Sequence, residues 1–511
     1  PITHGASLCA HLAAPARARQ ARRAARAGAA EVAAHLPLFR DCPRLEDMDF
    51  TGKADGAKYY NGLWFDKPKD RSLYASAQDG LVIDRDDPFG AGPLAGFALE
   101  GVTNGAKIKA VEIDKGIAYG SGMGGGGFWL LHQADSGRNI MIDGREKAPG
   151  AASRDMYLDN RGQVVRDWAI NGPSAAGIPG QPAALAHLAA GYGSLPLSVT
   201  LAPAIRLARE GFTVEEHYRS MAHYRRDVLN RSPEARRIFL NNGEVPPVDH
   251  LIVQPELASL LEQLAEHGHD GFYRGELAQK LVNGVIDNGG LWSEEDLANY
   301  QVVEREPVVG TFRGAKIISA APPSSGGVVL IQALNILERF NDGQPDPALL
   351  PHLAIESMRR AYRDRALHLG DPDFVDMPIV RLIDKGYATA LAADIKLDRA
   401  TPSASLGAPV TVEQGNHTSH FSIIDQQGNR VAATLSINLP FGSGFVVPGT
   451  GLLLNNEMDD FSANPGSANA YGLIGGEANA IAAGKRPLSS MTPTFVEWDG
   501  KVAILGTPGG S

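Results

Sequence analysis

The chain has 511 residues, 43% of them hydrophobic and 21% charged, which is a globular composition able to bury one large core or several ordinary ones. Its formal charge of −10 argues against nucleic acid or an anionic membrane as a partner, and no run of 18 apolar residues offers a membrane span. Two cysteines, Cys9 and Cys42, exclude a disulfide framework and a cysteine-rich metal site, while 58 glycines announce many tight turns and close backbone approaches.

The first 35 residues are rich in Ala and Arg and read as a basic, helix-prone, solvated segment. Residues 36–118 give short irregular pieces without a clear period. No charged stretch followed by an apolar one opens the chain at Pro1, and an export signal removed before that point is one expectation. From Tyr119 the pattern becomes orderly. YGSGMGGGGFWLLH leads glycines into an apolar strand, and DGREKAPGAAS follows as a turn-rich loop. The glycine run is not a phosphate cradle, because it precedes a strand rather than a helix and lacks the Lys-Ser/Thr ending. Residues 182–212 read as two helices punctuated by Gly and Pro. Further helices are expected at 255–267, 275–287, 327–340 and 350–367, the last with apolar residues at helical spacing. A polar Ser/Pro/Gly linker, 401–416, then gives way to strands.

The segment GNHTSHFSIIDQQGNRVAATLSIN, residues 415–438, reads as a hairpin. If Gln426, Gln427 and Gly428 form its loop with Gly428 left-handed, Asp425 faces Asn429 and Ser436 lies opposite Thr418. Asn438 then falls just past the pair, beside Asn416. Cross-strand hydroxyl pairs also simply stabilise sheets, so the pairing alone leaves both readings open. The chemistry that needs such a cluster is nucleophilic attack by an N-terminal threonine. A hydroxyl is a weak nucleophile without an adjacent base, and a terminal α-amine, with a pKa of about 7.7–8.0, can serve as that base. Attack of the Thr418 hydroxyl on the His417 carbonyl, followed by hydrolysis, would create that terminus. His420 lies two residues along the strand, about 7 Å from Thr418, and is expected to pack or hold a hydroxyl rather than act as base.

Several long stretches, in order, carry a resemblance. SGMGGGGFWLL, DGREKAP, GYGSLPLSVTLAPAIRLAREGF, APPSSGGVVLIQALNILE, LGDPDFVD, the run from Thr418 through LLLNNEMDDFS, KRPLSSMTPTFV and GTPGGS resemble the gamma-glutamyltranspeptidases, self-processing N-terminal-nucleophile hydrolases, over about residues 119–511. The resemblance implies an α+β fold, a four-layer αββα sandwich made by one precursor that cuts itself into two intertwined subunits. It divides the chain into residues 1–118, which do not match the family's usual opening, a large-subunit region 119–417 ending in the processing linker 401–417, and a small-subunit region 418–511. The last is shorter than the family's small subunits, which implies further strands and helices beyond Ser511.

Residue by residue, the resemblance makes Thr418 the nucleophile and processing residue, with cleavage between His417 and Thr418. Ser436 stands where an assisting threonine is usual, which keeps the hydroxyl and is expected to slow processing. Arg145 would grip the substrate α-carboxylate, for which a planar fork of donors is suited. Ser489 and Ser490 would bind the same carboxylate. Glu457 and Asp460 would receive the α-ammonium, with Asn438 touching the same head group and Tyr471 gating it from a lid loop. The backbone N–H groups of Gly509 and Gly510 would form the oxyanion hole, where glycine leaves the approach open. The implied reaction is cleavage of γ-glutamyl amides such as glutathione, passing the acyl group to water or to an amino acid or peptide, without metal or organic cofactor. The implied location is the periplasm or the cell exterior. Two alternatives stay open: a cephalosporin (glutaryl) acylase on the same scaffold, and a processing-defective relative that only binds γ-glutamyl compounds.

Overall fold

A computed structural model describes residues 120–340, 349–406, 418–425, 427–466, 468–470 and 472–507, together with strand backbone at 58–60, 63–65 and 74–77. The basic run 1–35, Asn416, His417, Gln426, Tyr471, Gly509 and Gly510 lie outside the described residues.

Three short strands, β1 (Lys58–Tyr60), β2 (Leu63–Phe65) and β3 (Tyr74–Ala77), come from the segment whose sequence shows no period. The orderly part begins with β4 (Gly126–Gln133) and β5 (Arg138–Gly144). The expected pair of helices follows as α1 (Gln181–Gly191) and α2 (Leu197–Glu210), separated by a Gly- and Pro-containing turn. A small ribbon joins β6 (Phe212–Thr213) to β7 (Leu251–Ile252). Next come α3 (Pro255–His267) and α4 (Gly275–Ile286), both within a residue of their expected bounds. Strands β8 (Val303–Arg305), β9 (Val308–Phe312) and β10 (Ala315–Ser319) precede α5 (Gly326–Leu337) and α6 (Leu350–His368). The hairpin forms β11 (Thr418–Ile424) and β12 (Arg430–Ser436), and β13 (Thr494–Trp498) and β14 (Lys501–Leu505) complete the strands.

Eight strands make one sheet in the order β1-β2-β3-β11-β12-β4-β5-β8, and four make another in the order β14-β13-β10-β9. Alternate residues of β4 belong to different cores, as the two-residue period of a strand requires. Trp129 and Leu131 join Ile140, Ile142 and the hairpin residues Phe421, Ile423 and Leu435 against Ala183, Ala184, Leu260, Leu264 and Leu281 of the helices α1, α3 and α4. Phe128 and Leu130 join Met141 and Ala432 in a second core with Ile317, Ile318, Phe495 and Val496 of the four-stranded sheet and Val328, Ile331 and Ile336 of α5. The central strands of the large sheet are therefore buried on both faces, which explains why they read as nearly continuous apolar runs.

One helix departs from its expected pattern. In α6 the buried residues include Glu356, Ser357, Arg360, Asp364 and Arg365, whereas Ile355 and Leu367 are exposed. These charges are tolerated because they find partners: Arg360 meets Glu356 at 2.7 Å and Asp394 at 2.7 Å, and the Asp364 carboxylate accepts from Gln332 at 2.6 Å.

Candidate active site

The hairpin has the expected register. Thr418 pairs with Ser436 and Ile424 with Arg430, the Asp425 N–H donates to the Asn429 carbonyl at 3.1 Å, and Gly428 takes a φ of 91°. Thr418 is thus the first residue of β11 and only partly buried, with its Oγ1 3.4 Å from the Ser436 Oγ. That separation is longer than a relaxed hydroxyl pair, about 2.7–2.8 Å. The Ser436 Oγ also accepts the Asn438 N–H at 2.9 Å. Asn438 itself adopts a positive φ of 73° and donates its side-chain amide to the Asn456 carbonyl at 2.9 Å, which joins the end of β12 to the acidic segment 455–460.

His420 is buried and both ring nitrogens are occupied. Nδ1 lies 2.8 Å from the Thr434 Oγ1 and Nε2 lies 2.9 Å from the Ser422 Oγ. Burial pushes its pKa down to about 3, so the imidazole stays neutral and holds hydroxyls, as its place on the strand led us to expect.

The glycine run packs against the end of the hairpin at Ser436. Gly125 approaches β12 so closely that a Cβ there would lie 2.1 Å from the Ser436 carbonyl oxygen, and one on Gly124 would lie 1.9 Å from the Leu453 oxygen. Residues 455–460 are laced to this same edge. The Asn455 amide donates to the Gly124 and Gly177 carbonyls at 2.6 and 2.8 Å, its Oδ1 accepts the Glu457 N–H at 3.0 Å, and the Asn456 N–H reaches the Ile437 carbonyl at 3.2 Å. Asn455 and Asn456 were missed in the sequence; two adjacent carboxamides leading into an acidic turn were the available signal.

Arg145 follows β5 directly and is fully buried. Asp143 accepts its N–H at 3.0 Å, Tyr300 donates to its carbonyl at 2.7 Å, and its Nε donates to the Pro487 carbonyl at 3.1 Å. Its guanidinium meets Glu457 at 2.7 Å, Asp460 at 2.5 Å and Glu146 at 3.4 Å. The structure therefore pairs Arg145 with the two acids that the sequence assigned to the opposite charge of the substrate. Burial works against the Arg145 charge, but Glu457, Asp460 and Glu146 outweigh it and hold its pKa above the ordinary value. One guanidinium cannot balance three carboxylates, two of them fully buried. Burial pushes Glu146 up to about 7 and Glu457 well above the carboxylate range, against the opposing pull of Arg145. No donor among the described residues reaches Oε1 of Glu146 or Oε1 of Glu457. Glu146 is a further member that sequence reasoning passed over, although it sits beside Arg145 in DGREKAP.

Ser489 and Ser490 follow closely on Pro487, whose carbonyl accepts from the Arg145 Nε. The Ser489 N–H donates to the Pro323 carbonyl at 2.8 Å, its carbonyl accepts the Ser325 N–H at 2.8 Å, and the Ser490 Oγ accepts from Arg365 at 3.2 Å. Thr418 and Ser436 thus form one cluster, Arg145, Glu146, Glu457 and Asp460 a second, and Asn438 with Asn456 links them.

Residues 117–511 match the model of the family described as gamma-glutamyltranspeptidase. The chain is 42% identical over 397 residues to the glutathione hydrolase proenzyme of Escherichia coli, an overlap covering 76% of this chain and 68% of that protein. Among solved structures it resembles the gamma-glutamyltranspeptidase of Helicobacter pylori, with a TM-score of 0.53 and 39% identity over 55% of this chain and 81% of that one. It also resembles the cephalosporin acylase of Bacillus halodurans, with a TM-score of 0.64 and 28% identity over 76% and 69% of the two chains. A match over most of the chain, with a relative this similar, places the chain in the gamma-glutamyltranspeptidase family of enzymes.

Proposed function

We propose that this chain is a proenzyme that cleaves itself between His417 and Thr418 and then transfers γ-glutamyl groups from amides such as glutathione to water, an amino acid or a peptide. The observation that carries the reading is the pairing of Thr418 with Ser436 at the start of β11, joined through Asn438 to a buried arginine with surplus carboxylates. The architecture in this reading is a four-layer αββα sandwich, supported by the two cores on opposite faces of the large sheet. Residues up to His417 form the large subunit and those from Thr418 the small one, and the mature enzyme works in the periplasm or outside the cell.

In the processed enzyme the free α-amine of Thr418 takes the proton of its own hydroxyl as Oγ1 attacks the γ-carbonyl carbon. The N–H groups of Gly509 and Gly510 hold the oxyanion of the tetrahedral intermediate. Collapse breaks the C–N bond, the proton passes to the leaving amine, and a γ-glutamyl ester remains on Thr418. Water or an acceptor amine then attacks that ester with the α-amine again as base. Ser436 steadies the Thr418 hydroxyl. Arg145, Ser489 and Ser490 receive the α-carboxylate, while Glu457, Asp460 and Asn438 receive the α-ammonium, with Tyr471 closing over the head group.

The substrate's two charges suit the excess of carboxylates around Arg145. An α-ammonium supplies donors for the unpartnered Glu457 oxygen, and an α-carboxylate replaces the acids on the guanidinium. A glutaryl group lacks the ammonium and leaves those buried acids uncompensated, which costs several kcal/mol. Turnover of γ-glutamyl-p-nitroanilide is therefore expected to exceed that of glutaryl-p-nitroanilide by at least about 100-fold in kcat/KM. Preference for the glutaryl compound would overturn the assignment in favour of an acylase.

A further inference from the structure

Arg365, in α6 and bonded to Ser490, is not among the residues to which the sequence pointed. It is 4% exposed, and among the described residues its guanidinium donates to two hydroxyls: Nε to the Ser325 Oγ at 2.8 Å and Nη2 to the Ser490 Oγ at 3.2 Å. No carboxylate among the described residues comes within ion-pair distance of it, unlike Arg145, Arg360 and Arg486. A buried cation satisfied only by neutral oxygens is costly unless an anion completes its surroundings. Burial accordingly lowers its hold on its proton; Tyr362 and Asp460 oppose that, and Arg145 adds to it, which puts Arg365 in the electrostatic reach of the acid–arginine cluster.

The hydroxyl geometry gives this charge a direction. A guanidinium can only donate, so each hydroxyl it touches must accept and turn its own hydrogen elsewhere. The Ser325 hydrogen goes to the Ser489 carbonyl at 2.7 Å. The Ser490 Oγ accepts from Arg365, and the Ser489 Oγ accepts from the Met491 N–H at 3.1 Å, while no acceptor among the described residues takes either of their hydrogens. Among the described residues both serines are left as donors with nothing to donate to, beside a buried positive charge.

We propose that Arg365 is a specificity-determining positioning residue: it fixes Ser489, through Ser325, and Ser490 with their hydroxyl hydrogens facing the substrate, and its charge makes this serine pair select a carboxylate over an uncharged carboxamide. The inference rests on the substrate head group assigned above, but its test does not need turnover. Equilibrium binding of L-glutamate and of L-isoglutamine, its α-carboxamide, is measured by calorimetry on the full chain and on Arg365→Met, Arg365→Lys and Ser490→Ala. The native chain should prefer glutamate by about tenfold or more. The preference should fall to within about threefold in Arg365→Met and stay intermediate in Arg365→Lys, which keeps the charge but not the fork. Where the arginine variants do not fold, Ser490→Ala carries the test and should also reduce the preference. A preference equal in the native chain and the variants, or none in the native chain, overturns the proposal. Failure of the native chain to turn over γ-glutamyl-p-nitroanilide would instead refute the catalytic reading, leaving the binding ratio to judge Arg365.

Discussion

His420 shows how a residue that looks catalytic is given another task by its neighbours. With Thr434 on one nitrogen and Ser422 on the other, it has no lone pair or proton left for Thr418. The imidazole also presses against Gly506, where any Cβ would lie 1.9 Å from the ring. Because folding lowers its pKa from about 6.5 to about 3, the stability tied to a neutral ring is complete above pH 6.5 and is lost as the pH falls from there towards 3. The melting temperature of the native chain should therefore exceed that of His420→Asn by most above pH 7, and the difference should shrink steadily below 6.5. A difference that does not vary with pH would mean that the ring is not held neutral. The Thr418–Ser436 pairing was legible in the sequence because taking residues 426–428 as the loop, with Gly428 left-handed, fixes the register. Three members of the Arg145 cluster were legible through the family resemblance, but neither Glu146 nor the mutual ion pairing was, since sequence says nothing of how opposite charges arrange themselves without a substrate. Arg365 was hidden because an arginine in a helix is ordinarily exposed.

Among the elements, β4 and α6 mark the two ends of what pattern can reveal. The glycines before and within β4 announced close packing, and the structure supplies what they pack against, the Ser436 and Leu453 carbonyls. Gly125→Ala should push β12 out of register at its Ser436 end. We expect a loss of about 2–4 kcal/mol in stability and much slower self-cleavage, read by thermal denaturation and by the rate at which the fragments form. Cleavage at the native rate would show that this contact does not position Ser436. In α6 the expectation of an apolar buried face gave way to one carrying Glu356, Arg360, Asp364 and Arg365. Helical spacing reveals that a face repeats, but burial of charge depends on partners far away in sequence, such as Asp394 for Arg360 and Gln332 for Asp364.

At the scale of the molecule, buried charge also ties together the parts that processing would separate. Asp143 at the end of β5 is fully buried and accepts from the Arg305 Nε at 2.8 Å, with the Arg486 Nε 3.5 Å away. Arg486 in turn donates to the Gln301 carbonyl at 2.8 Å and receives the Asp371 carboxylate on its backbone N–H at 2.7 Å. On the proposed division at Thr418, Arg486 would thereby fix the second fragment to three segments of the first. Asp143→Ala removes one of the two carboxylates that lie 3.5 Å from the buried Arg486 guanidinium, together with the acceptor of the Arg305 Nε, and about 3–5 kcal/mol of stability should be lost. The cleaved fragments should then separate at lower denaturant concentration, which sedimentation in urea can follow; unchanged association would remove this network from the account. Family motifs made the broad assignment possible from sequence, whereas this network joins residues 143, 305, 371 and 486, which no local pattern connects.

The central claim is that Thr418 becomes a chain terminus. Intact mass combined with N-terminal sequencing of every fragment tests it most directly, with Thr418→Ala as the control. The account predicts two fragments, one beginning Thr-Ser-His-Phe, in the native protein and a single uncut chain in Thr418→Ala. A native chain that stays uncut on long incubation, or one that is cut elsewhere, would contradict it.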